Sequence, residues 1–205
     1  MGYIPTSAFH TFDPIRLSPL EIVDAISSSM NGFHEDLISM VGKVSGVVLK
    51  EGEPSPIDKA NLLFISIIDW QKDGSSPRPL DGGHSRERLG RFPHNDGNAI
   101  EYLLEFTREA EEMRLHELLS KLTRGLSKEY IGREGFSRGS GGIELLGWLD
   151  SSEVNELRGE IEGSRWSVLS EEPLDGGVQD AFRHLLVYLR SAGRGKCGIM
   201  MRRHS

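Results

Sequence analysis

IELLGWLDSSEVNELRGEI, residues 143–161, is the stretch on which the reading of the fold turns. Its first seven residues, Ile143 to Leu149, are apolar but for Glu144 and short enough for a buried strand. Asp150-Ser151-Ser152-Glu153 then carries the capping signature: a small polar side chain closes the helix start, and a glutamate three residues on reaches back. Val154, Leu157 and Ile161 follow at helical spacing and form one apolar stripe. A strand that runs straight into a capped amphipathic helix puts sheet and helix against one core.

The pattern extends both ways. Towards the C-terminus, Trp166 to Leu169 reads as a short strand and Val178 through Ala192 as a helix with Phe182, Leu185, Leu186 and Leu189 inward. Gly193 is the expected stop, and Cys197 to Met201 closes as a strand. Towards the N-terminus, Ser18-Pro19-Leu20-Glu21 opens a helix that Asn31-Gly32 stops. VSGVVLK, residues 44–50, reads as a strand. Ser55-Pro56-Ile57-Asp58 opens a second helix through Ile67, although LLFISIID has the apolar, β-branched look of a buried strand. From Asn98 to Gly125, leucines at helical spacing predict one long helix or a broken pair, a spine for the fold.

These elements predict an α+β fold: several helices packed on a small mixed or antiparallel sheet, built partly from 44–50, 143–149 and 197–201. The chain is read as one domain, with 1–135 a helix-rich first half and 143–205 an αβ second half of the same core. With 24 glycines in 205 residues, against a usual share of ~7%, many turns are expected. GREGFSRGSGG, residues 132–142, concentrates five of them. A phosphate cradle needs such a loop after a strand and before a helix, and here the order is reversed, so residues 136–142 read as a joint.

Composition narrows the function classes. A net charge of −7 argues against general nucleic-acid binding, which needs a cationic face. One cysteine, Cys197, excludes an internal disulfide and suits a reducing cytoplasm. No apolar run approaches the ~20 residues of a membrane span. Seven histidines show no metal-ligand spacing, so neither metal nor cofactor is expected. No strand-to-helix elbow activates a serine, and Cys197 in an apolar strand reads as a small buried hydrophobe.

Two functional readings follow. Between Glu144 and Asp180 lie ten acidic residues against Arg158 and Arg165, and from Arg183 to Arg203 six basic residues and no acidic one. Asp150, Glu153, Glu156 and Glu160, rimmed by Trp148 or Trp166, would make an acidic face for a basic protein partner. The chain would then be a non-enzymatic interaction or immunity-type protein. The alternative is a small-molecule enzyme or ligand binder using the long loop 72–97, with His84, His94 and Asp96 as candidate catalytic groups.

The segments GWLDSSEVNEL (147–157) and FRHLLVYLRSAGRGKCGIM (182–200) resemble small uncharacterised bacterial proteins of the YfbM-like type. That resemblance implies a compact bacterial α+β protein and brings no catalytic residues with it.

Overall fold

The structure, a computed structural model, describes residues 9–44, 46–82, 89–94 and 97–204. In chain order the elements are β1 (Phe9–Ile15), α1 (Pro19–Ser29), α2 (Glu35–Val41), α3 (Lys59–Ile67), α4 (Ala99–Phe106) and β2 (Thr107–Glu109). There follow α5 (Leu115–Arg124), α6 (Lys128–Ile131), β3 (Glu144–Leu149), α7 (Ser151–Glu162), β4 (Trp166–Val168), α8 (Gly177–Gly195) and β5 (Gly198–His204). The fold is α+β, with helices packed on small antiparallel sheets.

The main sheet has the order β1-β5-β3, antiparallel throughout, so the last strand lies between the first and the third. Successive side chains of β5 point to opposite faces and separate two apolar layers. Ile199 and Met201 join Phe12, Leu149 and the inner faces of α4, α5, α7 and α8. Met200 joins Ile15, Leu145, Trp148 and the inner faces of α1, α2 and α3. Leu145 and Trp148 are an odd number of residues apart yet share a face. A register shift between Leu145 and Gly147 skips one residue and restores the phase. Gly147 is there because α5 crosses close by: a Cβ at this position would meet the Leu122 carbonyl oxygen at 2.7 Å.

The capped helix behaves as its sequence dictates. The Asp150 carboxylate accepts from the backbone N–H groups of Ser152 and Glu153, and Glu153 accepts from the Asp150 N–H at 2.9 Å. Val154, Leu157 and Ile161 are buried. The disputed LLFISIID segment is helical as α3, capped by Asp58, which accepts from the Asn61 N–H. At α1 the helix forms but Ser18 makes no side-chain capping bond.

Two expectations are corrected, the strand at 44–50 and the stop at Gly193, and two are refined. The described residues of 44–50 form no strand: Gly46 takes φ +74°, which breaks the extended run, and β1 occupies the sheet position instead. β1 escaped the pattern because Pro14 interrupts its alternation. Of the two readings of 98–125 the broken pair is the one that forms: α4 gives way to β2, which pairs with β4, before α5 resumes. Gly193 does not stop α8, which runs to Gly195 and ends on Lys196 at φ +52°. The Gly-rich stretch is more than a hinge. The Ser140 N–H and hydroxyl both donate to the Asp58 carboxylate at 2.8 and 2.7 Å, docking residues 138–142 on the start of α3.

Candidate functional site

Helix α7 carries the acidic stripe read from the sequence, and each of its carboxylates meets a cation of the same chain. Glu153 takes the Lys121 ammonium at 2.5 Å, with both side chains mostly buried (14% and 17% exposed). Glu156 accepts from Arg114 at 2.7 Å, and Arg114 also grips Glu117. Glu160 lies 3.9 Å from Arg165, and Glu162 accepts from Arg190. Glu144 lies between Arg138 and Arg203. The basic C-terminal segment and α5 thus fold against the acidic stretch. Asp150 is held below its ordinary carboxylate range: burial pushes it up, but the bonds from Glu153 and Ser152 outweigh that.

Neither tryptophan forms a rim. Trp148 is 1% exposed and stands in the core beneath the Lys121 ammonium, 4.6 Å from the ring centre. Trp166 is half-buried, with its indole N–H donating to the Ile161 carbonyl and its ring against Phe182. The sheet explains both positions: each indole extends from a strand towards the layer of helices packed on it.

Of the loop candidates, His84 and Asp96 lie outside the described residues. His94 packs on the buried rings of Tyr102 and Phe106 and meets Glu105 at 3.3 Å, so it caps an aromatic part of the core. Among the described residues no group of three His, Cys, Asp or Glu side chains is placed to hold a metal ion. No helix among them is long and apolar enough to cross a membrane. Burial raises the Cys197 thiol, with a further contribution from the Asp69 charge, so it stays protonated.

The surface signal lies elsewhere, in a lobe of residues 33–53. Helix α2 buries only Leu37; Ile38 and Met40 are exposed, and Phe33, just before the helix, is 66% exposed. The 44–53 segment folds back alongside. His34 makes the join: its Nδ1 shares a 2.7 Å bond with the Ser29 hydroxyl, and its Nε2 faces the carbonyls of Glu53 and Lys50 at 2.9 and 3.1 Å. Gly32 and Gly52 touch backbone to backbone, the Gly52 N–H donating to the Gly32 carbonyl. Val44 is buried beneath the lobe, while Val48 is 75% exposed. The same stretch exposes the carboxylates of Glu35, Asp36, Glu51 and Glu53 against Lys43 and Lys50, of which Lys50 pairs with Glu53 at 3.5 Å. Sequence reading passed over the lobe because it took 44–50 for a sheet strand, which would have covered Val48. The available signal was the LISMV run of α2, more apolar than one buried face requires.

Comparison with protein-family models, with curated proteins and with solved structures finds no match to this chain.

Proposed function

We propose that the protein acts by binding another protein through the 33–53 lobe, and that the partner presents basic side chains around apolar ones. The observation that carries this is a concentration. Among the described residues six large hydrophobic side chains are exposed, and four of them, Phe33, Ile38, Met40 and Val48, belong to this lobe. Scattered exposed hydrophobics are ordinary, whereas a cluster with a charged surround matches the anatomy of an interface. Flexible, polarizable Met40 and aromatic Phe33 are residue types that anchor such contacts. The exposed carboxylates of the same stretch favour a cationic partner and would be repelled by an anionic lipid surface. The acidic recognition expected on α7 is thereby moved to a surface whose charges are not all spent on neighbours.

A photo-crosslinking residue at position 38, with a second at position 156 on α7, tests the reading. The expected product is a heterologous basic protein captured from position 38, absent from position 156 and lost when Phe33→Ser and Val48→Ser are combined. Capture of a second copy of this chain, or equal capture from both positions, would overturn it.

A further inference from the structure

Asn31-Gly32, in the turn that follows α1, is the one Asn-Gly pair of the chain. In such a pair the glycine nitrogen can lose its proton and attack the asparagine Cγ, because no side chain on the glycine blocks the approach. A Cγ–N bond forms, the Cγ–Nδ2 bond breaks, and ammonia leaves with the proton. Water then opens the succinimide ring at either carbonyl. Opening at Cγ gives aspartate. Opening at the main-chain carbonyl carbon gives isoaspartate, whose backbone runs through the former side chain and is one carbon longer.

Asn31 is exposed, yet both reacting groups are held. The Gly32 N–H donates to the Ser29 carbonyl at 3.2 Å, and the Asn31 Nδ2 donates to the Ser27 carbonyl at 3.1 Å. The 44–53 segment clamps Gly32 from its other side. The Gly52 N–H donates to the Gly32 carbonyl at 3.0 Å, and a Cβ on Gly32 would lie 2.8 Å from the Gly52 carbonyl carbon. The Ser29 carbonyl also accepts from the Ser55 N–H at 3.1 Å, so the returning chain is fastened to the oxygen that holds Gly32. Buried His34 latches the arrangement through the carbonyls of Lys50 and Glu53. A succinimide nitrogen carries no hydrogen, so ring closure forfeits the bond to Ser29. An extra backbone carbon beside Gly32 then displaces a contact with no room for a methyl group.

We propose that Asn31 is a modification site gated by the 33–53 lobe: it converts to aspartate and isoaspartate only while the 44–53 segment is lifted, and the isoaspartate form keeps the lobe from closing. Such a local opening breaks few buried contacts and costs less than global unfolding. Among the described residues of 44–53 only Val44 is buried. A loss of partner binding in the isoaspartate form rests on the reading of the lobe as the binding surface; the gating of the reaction does not.

Mass-spectrometric peptide mapping of the full chain, incubated at mildly alkaline pH with isoaspartate counted by enzymatic methylation, tests the assignment. In the native chain Asn31 should convert at least about tenfold more slowly than in the same chain unfolded in urea, an opening cost of ~1.4 kcal/mol or more. His34→Ala should recover most of that difference. Ser29→Ala, which removes only the hydroxyl that meets the His34 Nδ1, should recover less. Glu153→Ala loosens α7, touches no bond of the lobe and should leave the rate unchanged. Circular dichroism verifies that the variants fold. Equal rates in the native and unfolded chain, no acceleration in either latch variant, or the same acceleration in Glu153→Ala would overturn the gate. Converted protein should no longer yield the product crosslinked from position 38, and equal capture from the isoaspartate form and fresh protein would overturn the effect on the lobe. Absence of that product from fresh protein counts against the lobe as a binding surface, while the reaction rates still decide the gate.

Discussion

Helix α7 and the 33–53 lobe make opposite use of their side chains. Along α7 the acidic residues are conspicuous in sequence, yet Glu153, Glu156 and Glu162 all meet Lys121, Arg114 or Arg190. In the lobe nothing is conspicuous in sequence, yet Phe33 and Val48 stand in solvent without an apolar neighbour to cover them. A run of like charge marks a recognition surface only if its counter-charges lie off the molecule. An amphipathic helix counts as satisfied only if all its apolar residues find cover, and α2 has more of them than its single contact face uses.

Three variants sharpen the contrast. The largest effect is expected at Trp148, the aromatic residue once placed on the rim of the acidic face. Trp148→Ala empties a fully buried site between β3 and the first three helices and should cost about 3–5 kcal/mol in chemical denaturation. A cost below about 1 kcal/mol would return Trp148 to the surface and undo the contrast.

Next comes Glu153. Its carboxylate completes the capping box and neutralises the mostly buried Lys121 ammonium, so Glu153→Ala leaves a backbone N–H without its partner and a cation stranded over Trp148. We expect a loss of about 2 kcal/mol, between the values for exposed and fully buried pairs. Crosslinking from position 38 should be unchanged. Removal of that crosslink with no loss of stability would make Glu153 a recognition residue after all.

The smallest effect on stability is expected in the lobe. Phe33→Ser with Val48→Ser removes side chains already in water, so the denaturation midpoint should move by no more than about 0.5 kcal/mol equivalent. A loss of ~2 kcal/mol or more would show that these side chains pack within the fold, and the lobe would cease to be a free surface.

Much of the fold was legible wherever a local rule had no competitor. The Asp150 capping box, the stripe Val154, Leu157 and Ile161, and the cap of α3 at Asp58 are set by residues within four positions of one another. Besides the short β4, read from Trp166 and Val168, the strands that were legible are those apolar on both faces. β3 and β5 lie in the sheet with helices against each side and read as apolar runs; β1 interleaves Thr11, Asp13 and Pro14 and did not. The site was less legible than the fold. Of the residues singled out, those on α7 turned into internal pairs, His94 into an aromatic contact, and the exposed lobe went unremarked.

The sequence by itself determined the α+β class, the helix starts and most of the apolar stripes, because capping and periodicity act over one or two turns of chain. Tertiary structure alone decided which strand fills the sheet edge, which carboxylates are neutralised and which hydrophobics stay bare. Glu153 meets Lys121 across 32 positions, Arg202 meets Asp13 across 189, and Asp58 holds Ser140 across 82. Energies of that kind depend on distance in space and on exclusion of water, and neither is written along the chain.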